Sequence, residues 1–313
     1  MSDELPNQKS ISPAAWGALF ALALIWGASF VSIRVALDEV GPLTSVAHRT
    51  FWAMLVLWCV IAARGQTLLP GPRVWVAFLV MGMLNNVIPF GLVAWGQLHI
   101  ESGLTSILNA ATAVFGVLTA ALFFADERLT GRKLIGVCLG FLGVATAIGL
   151  GNLRDFDVRS LAQIAVLAAA VSYALAGVWA RKTLAGLSPQ MAAAGMLTGS
   201  TVVTVPLAWA VEGPLSLSLQ TDTLLAIGYY SVIATAGAYL LYYWVLARAG
   251  SGNLLLVTLL VAPIAIVLGA VILGETLNPN AYAGFAILAS GLLVLDGRVL
   301  RGRRPIDRAS VRR

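Results

Sequence analysis

Ten apolar stretches, each about as long as a membrane-spanning helix, constrain this chain more than any other feature of its sequence. A helix needs roughly 20 mainly apolar residues to cross a bilayer. Of the 313 residues, 59% are hydrophobic and 11% are charged, against about 25% charged in soluble domains, so lipid is the solvent that suits this surface. The predicted spans are Ala14–Ala36, Leu43–Ala63, Val74–Leu98, Ser102–Phe124, Lys133–Leu150, Leu161–Ala180, Gln190–Val211, Thr223–Ala247, Asn253–Leu273 and Asn280–Leu300.

The distribution of basic residues predicts the orientation of these spans. With the N-terminus in the cytoplasm, sixteen Lys and Arg residues fall in inner segments and three, Arg34, Arg154 and Arg159, in outer ones. Seven of the sixteen lie between Arg298 and Arg313, so the net charge of +6 indicates an anchor beside anionic lipid and not a nucleic-acid surface. The sequence therefore predicts two cytoplasmic termini, comprising an N-terminal segment at 1–13 and a basic tail at 301–313. The first span is too long for the core of a cleaved signal peptide.

The two halves of the sequence repeat each other at a nearly constant offset. Trp26, Arg34 and Pro42 are each followed 147 residues later by Tyr173, Arg181 and Pro189; Glu127 precedes Glu275 by 148 residues and Trp95 precedes Trp244 by 149. We therefore predict repeats at 14–150 and 161–300. Because each holds five spans, the second enters the membrane in the opposite sense. The predicted fold is an all-α integral membrane protein, with ten transmembrane helices arranged as two inverted five-helix repeats around a central cavity. A duplicated scaffold that moves nothing is the alternative.

Several motifs resemble a known family. Trp26-Gly27 with Phe30, Arg49 in the second span, and the junction from Phe123 to Thr130 are similar to the EamA-type branch of the drug/metabolite transporter superfamily. The second copy, from Ala262-Pro263 to Glu275-Thr276-Leu277, matches more closely. The resemblance extends from Ala14 to about Leu295 and implies a transporter of the bacterial inner membrane, most similar to exporters of aromatic or neutral amino acids. One departure is that the proline usual in the fourth span of this family is replaced here, near Ala113. We therefore expect a kink at Pro263 in the ninth span, but we do not expect the fourth span to kink in the same way.

Polar and aromatic side chains within the spans are the candidates for substrate binding, because such groups are costly in lipid unless they face a cavity or one another. The fourth span has a polar face, although tight helix packing would also explain it. Asn85 and Asn86 precede Pro89, where an interrupted helix often marks a binding site. The predicted substrate-binding residues are Trp26, Asn85, Asn86, Trp95, Asn109, Thr112, Tyr173, Tyr230, Thr235, Tyr239 and Thr258, with Pro89 and Pro263 as kinks or gates.

Four charged or titratable residues have other predicted roles. Arg49 is expected to extend towards the interface and to make structural hydrogen bonds. His48 is a possible coupling residue, because histidine titrates near neutral pH. Glu127 and Glu275 end their spans and are predicted to stabilise helix junctions.

These features favour a secondary transporter that exports amino acids or similar metabolites by alternating access. The sequence has no phosphate-binding loop of the Walker type, so ATP is not expected to drive transport. Proton-coupled drug efflux is the alternative within transport, but no predicted span has Asp or Glu in its interior. An intramembrane enzyme would need clustered catalytic groups at membrane depth. No cofactor or metal is predicted. The expected partners are a small-molecule substrate and membrane lipid, and the expected state is a monomer or weak oligomer.

Overall fold

A computed structural model describes residues 12–65, 71–149, 158–249 and 256–296, and helices are the only regular secondary structure in these ranges. We number ten helices along the chain. They are α1 (Pro13–Ala36), α2 (Pro42–Ala63), α3 (Pro72–Gly96), α4 (Ser102–Phe123), α5 (Gly131–Ile148), α6 (Val158–Thr183), α7 (Pro189–Glu212), α8 (Thr221–Ala249), α9 (Leu256–Leu273) and α10 (Pro279–Asp296).

The helices match the predicted spans to within a few residues. Eight are long and apolar enough to cross a membrane, and the described apolar parts of α9 and α10 are shorter, at Leu260–Leu273 and Pro279–Leu295. Proline at the first helical position begins α1, α2, α3 and α7, where its missing N–H breaks no hydrogen bond. The predicted start of the ninth span at Asn253, the N-terminal segment up to Ile11 and the basic tail lie outside the described residues.

The packing of the helices has the symmetry that a duplicated chain requires. The contacts of α1 with α9 correspond to those of α6 with α4, and the contacts of α3 with α7 correspond to those of α8 with α2. The pairs α2–α7 and α5–α10 each join equivalent helices of the two halves. An odd number of helices in each half makes this an inverted repeat. The predicted fold is confirmed: the chain is a multi-pass helical membrane protein with two related halves.

Glycines bring α5 and α10 into close contact. A Cβ atom at Gly143 would lie 2.4 Å from the backbone nitrogen of Leu288, and one at Gly284 would lie 2.3 Å from that of Ala147. Small residues of this kind drive helix association in lipid. Leu288 has no exposed surface, so it belongs to this interface and does not face lipid.

Carboxylates of one half bind helix starts of the other at the end of the bundle that holds Pro42, Ser102 and Gln220, which is the predicted outer end. Glu212 accepts hydrogen bonds from the backbone N–H groups of Leu43 (3.0 Å) and Thr44 (2.7 Å). Glu275 accepts from those of Ser102 (2.9 Å) and Gly103 (3.4 Å), and Glu39 accepts from that of Gln220 (2.9 Å). Unpaired N–H groups and the helix dipole favour negative charge at these positions. An ion pair between Arg159 and Glu101 (2.8 Å) also joins the halves. We call these contacts the outer clamp.

The fourth and ninth helices differ in their continuity. Helix α4 is interrupted after Asn109 and resumes at Thr112, although it has no proline, whereas α9 continues past Pro263 as one helix. The Thr112 hydroxyl donates to the Asn109 carbonyl (2.7 Å), and the N–H of Ala113 bonds the Ala110 carbonyl instead. A side chain has therefore replaced the backbone donor at this turn. A lone proline removes one hydrogen bond, and the remaining ladder keeps α9 continuous.

Candidate functional site

Two π-helical segments, Met83–Val87 in α3 and Tyr229–Gly237 in α8, form the centre of the candidate site. The wider turn of a π-helix leaves backbone carbonyls to be satisfied by side chains, and such segments are frequent at functional sites. The Ser172 hydroxyl donates to the carbonyl of Leu84 (2.7 Å), and the Trp26 indole donates to that of Ala234 (3.2 Å). Pro89, one turn after Leu84, has no N–H to offer that carbonyl, which explains the interruption in α3.

The first π segment places Asn85 and Asn86 against α7 and α8. Asn86 has no exposed surface; its amide donates to the Ser200 hydroxyl (2.7 Å), and its Oδ1 accepts from the Tyr239 hydroxyl (3.4 Å). The half-buried Asn85 donates to Tyr239 Oη (3.1 Å) and to Met196 Sδ (3.4 Å). The structure thus brings three predicted substrate-binding residues, Asn85, Asn86 and Tyr239, into one hydrogen-bonded group between the halves.

Arg49 of α2 contacts the second π segment through its guanidinium group. The guanidinium Nε donates to Thr235 Oγ1 (2.9 Å), and Thr235 in turn donates to the Tyr230 carbonyl (2.7 Å). The guanidinium carbon lies 3.9 Å from the centre of the Phe90 ring, at a distance typical of cation–π contacts. Arg49 was expected to extend towards the interface, but Thr235 and Phe90 hold its charged group between α2, α3 and α8.

Aromatic side chains complete the walls around Arg49. Tyr173, Tyr230 and Tyr239 all lie near the guanidinium. Tyr173 packs against Phe90, with ring centres 6.5 Å apart, and Trp26 packs against Tyr242 at 6.0 Å. Trp26, Tyr173 and Tyr239 are half-buried, so each has surface that a small molecule can contact.

Tyr230 and His48 are more deeply enclosed. Tyr230 has no exposed surface, and its hydroxyl exchanges hydrogen bonds with Ser45, which joins α8 to α2. His48 is 2% exposed; its Nδ1 accepts from the Trp52 indole (3.3 Å), and its ring lies near the backbone of Ser216 in the loop after α7. A ring nitrogen that accepts a hydrogen bond belongs to a neutral imidazole, so His48 is uncharged in this geometry.

The remaining predicted residues lie in α3, α4 and α9. Asn109 ends the first part of α4, and its Oδ1 is buried with no hydrogen-bond partner among the described residues. Thr112 satisfies the Asn109 carbonyl. Trp95 lies at the end of α3 against His99, with ring centres 5.0 Å apart. Thr258 and Pro263 lie in α9.

The repeat-related glutamates have different partners. Glu275 belongs to the outer clamp, whereas Glu127 pairs with Lys133 (2.9 Å) at the start of α5 and approaches Arg181 (3.8 Å) at the end of α6. Neighbouring Asp126 also pairs with Arg181, and this hydrogen bond lowers the pKa of the exposed Asp126 carboxyl. Both glutamates thus have polar partners at helix junctions.

A separate cavity of about 540 Å³ lies at the predicted outer end, between α4, α5, α6 and α10. Its lining includes the Arg159–Glu101 ion pair and Gln163. None of the eleven predicted substrate-binding residues lines it. Of these, Asn85, Asn86, Tyr230, Thr235 and Tyr239 lie in or against the two π segments instead.

The fold and this site define a class of protein: a membrane-spanning helical bundle of two inverted halves, with a cation, amides and aromatic rings held between them. Comparison with known sequences gives the family. The chain belongs to the EamA-like transporter family, whose model matches it twice, at residues 15–149 and 160–295. The family resemblance noted in the sequence is therefore confirmed.

Several similar proteins align along almost the whole chain. A probable terminal-alkyne amino-acid exporter of Streptantibioticus cattleyicolor is 28% identical over 94% of this chain and 97% of its own length. A probable amino-acid metabolite efflux pump of Salmonella typhimurium is 29% identical over 87% of this chain and 91% of its own length, and one of Escherichia coli is 26% identical over the same shares. A solved crystal structure that is 19% identical matches 93% of this chain and 99% of its own with a TM-score of 0.64, which supports the fold alone.

Proposed function

We propose that this protein is a secondary transporter that exports amino acids or similar small metabolites from the bacterial cytoplasm. The observation that carries the proposal is the group formed by Arg49, Asn85, Asn86, Thr235 and Tyr239 between the two halves. Polar side chains at membrane depth are costly, and substrate pathways are a common reason for their presence. The relatives that carry names of amino-acid exporters and efflux pumps support the same substrate class.

The mechanism that we propose is alternating access, with the repeats at 14–150 and 161–300 as the two moving units. The outer clamp joins the halves at one end, through carboxylates that accept backbone hydrogen bonds. Releasing these bonds would let the predicted outer end open, because each contact crosses from one half to the other. The basic residues of the predicted inner segments support an orientation with both termini in the cytoplasm.

Transport is proposed to run down the substrate gradient without ATP or obligatory proton coupling. The described parts of the spans have no Asp or Glu near the site, and neutral His48 is enclosed beside Trp52. A proton carrier at membrane depth usually needs a group that changes charge there.

The test is a counterflow assay with purified protein in liposomes. Vesicles loaded with an unlabelled amino acid should accumulate the same labelled amino acid without ATP and with equal pH on both sides. A panel of aromatic and branched neutral amino acids provides the substrates, and empty liposomes provide the control. Absence of counterflow for the whole panel, from protein that remains folded, would contradict the proposed function. Strict dependence on a pH gradient would favour proton-coupled efflux instead, with His48 as the first residue to substitute.

A further inference from the structure

Arg49 is a cation in the middle of the candidate site without a counter-ion. The ion pairs of the described residues lie at helix ends and in loops, and none of them includes Arg49. Its partners are instead a hydroxyl, Thr235 Oγ1 at 2.9 Å, and the face of the Phe90 ring at 3.9 Å. Neither neutralises the charge. An isolated charge away from water is strongly unfavourable, so a site that keeps one usually has a use for it.

Most of the hydrogen-bonding capacity of this guanidinium is unused. Arginine has five N–H donors, of which the Nε–H is one. Nε–H is bound to Thr235, and within the described parts of the chain no acceptor is bonded to either Nη group. The residue as a whole is half-buried, so it is neither sealed in the core nor in open solvent. Two parallel N–H donors in this setting match the geometry of a carboxylate.

We propose that Arg49 binds the carboxylate of the transported substrate through its two Nη groups. The assignment rests on the proposed function, and it names the part of the substrate that the site recognises. Thr235 and Phe90 position the guanidinium, because the Nε hydrogen bond fixes the plane of the fork and the ring covers one of its faces. Lysine is a point charge without this fork and would not reproduce the contact.

The surroundings of Arg49 also limit the rest of the substrate. Phe90, Tyr173 and Tyr239 lie nearby and suit an apolar or aromatic side chain. A single positive charge is neutralised by one carboxylate, so monocarboxylates should bind more tightly than dicarboxylates. In the described helices the acidic residues, Glu212, Asp222 and Asp296, lie at helix ends, away from Arg49, so none can pair with a substrate ammonium there. We therefore expect the carboxylate to contribute more to binding than the ammonium.

The first experiment uses the unchanged protein and three matched compounds: L-phenylalanine, N-acetyl-L-phenylalanine and L-phenylalaninamide. Binding to purified protein is measured by quenching of tryptophan fluorescence, with the corresponding leucine compounds as a second series. The two carboxylates should bind, with the acetylated compound at least as tight as the free amino acid. The amide, which has no carboxylate, should bind at least tenfold more weakly. Equal or tighter binding of the amides in both series would overturn the assignment.

The second experiment uses Arg49→Met and Arg49→Lys, with Arg34→Met as the matched control. Arg34 is also an arginine of a helix, but it pairs with Asp38 at the end of α1 (2.6 Å), away from the site. Arg49→Met should lose the preference for carboxylate over amide, and Arg49→Lys should lose at least tenfold in affinity for the carboxylates. Arg34→Met should retain both the preference for carboxylate over amide and the affinity for the carboxylates. Unchanged preference in Arg49→Met would contradict the proposal. If that variant does not fold, the comparison of the three compounds on the unchanged protein decides whether the site recognises the carboxylate.

The two proposals fail in different ways. If counterflow occurs and Arg49→Met retains the preference for carboxylates, transport stands and the carboxylate site is wrong. If carboxylates bind in an Arg49-dependent manner but liposomes show no counterflow, the site stands and export is wrong.

Discussion

The third and eighth helices are repeat partners that share a backbone interruption but have different side chains at it. Asn86 and Thr235 are equivalent, 149 residues apart, and each lies in a π-helical segment and is buried. Asn86 donates to Ser200 of α7, whereas Thr235 accepts from Arg49 of α2. The interruption therefore belongs to the duplicated fold, and the chemistry belongs to each half separately.

The same difference extends to the helices that face them. Arg49 and Met196 are both the eighth residue of their helices, α2 and α7, and both contact the π segment of the other half. One half thus offers a cation where the other offers a thioether. A site with this asymmetry can orient a substrate that has one charged end, because only one of its two related walls attracts a carboxylate.

The largest effect is expected for Asn86→Ala on the α3 side. This substitution removes the amide that joins Ser200, Asn85 and Tyr239, so each of these three side chains loses one hydrogen bond. Counterflow should fall about ten- to a hundredfold, from the loss of hydrogen bonds in a site that binds charge. Leu142→Ala on the lipid-facing side of α5, where Leu142 is 55% exposed, is the control and should transport normally. Equal activity in both variants would remove α3 from the site.

A smaller effect is expected for Thr235→Val on the α8 side. Valine keeps the shape of threonine and removes the acceptor that positions the Arg49 guanidinium. The apparent substrate affinity should fall about tenfold, corresponding to one hydrogen bond to a charged group. Protein abundance in the membrane should remain unchanged, because the isosteric residue preserves packing. A loss as large as that of Asn86→Ala would indicate that the two π segments contribute equally.

Glu275→Gln tests the outer clamp, and Glu127→Gln, at the repeat-related glutamate, is the control. The glutamine retains one acceptor but loses the charge at the start of α4, so the bonds to Ser102 and Gly103 weaken. The population that opens at the predicted outer end should increase about fivefold. This is measured as the labelling rate of Tyr239→Cys by an impermeant reagent from that side. Glu127→Gln should leave the rate unchanged, and a similar increase in both variants would argue against a clamp at one end.

The smallest effect is expected at the opposite end, for Asp126→Asn. Arg181 lowers the pKa of the folded Asp126 carboxyl, so the ion pair adds stability above the unfolded pKa of about 3.9. That stability is lost as the pH falls through the folded pKa. The variant should therefore melt slightly below the unchanged protein at pH 7, and the difference should disappear in strongly acidic buffer. A difference that grew as the pH fell would reverse the assigned sign.

Much of the fold could be predicted because lipid imposes a length and a composition on every span. The orientation stays a prediction from charge, and the repeat followed from offsets such as that between Trp95 and Trp244. The break in α4 could not be predicted, since it depends on a hydroxyl, Thr112, that competes for a backbone carbonyl. Pro89 indicated an interruption in α3, but the equivalent π segment in α8 has no proline.

The candidate site was harder to predict than the fold. Asn85, Asn86, Thr235 and Tyr239 were identified by their polarity within apolar spans, and the structure brings them together. Arg49 was assigned a structural role because its distance from the helix start suggested the interface. Its contact with Thr235 depends on how α2 packs against α8, and a pattern within one helix contains no such information.

The central proposal is that water reaches the two π segments from the predicted inner end while the outer clamp closes the other end. Its most direct measurement is thiol labelling of Asn85→Cys and Tyr239→Cys in protein whose Cys59 and Cys138 have been replaced by alanine. In vesicles of known orientation, both positions should react with an impermeant aqueous reagent from the predicted inner side and much more slowly from the outer side. Leu142→Cys, which faces lipid, should react from neither. Failure of both cavity positions to react from either side, in folded protein, would contradict the account.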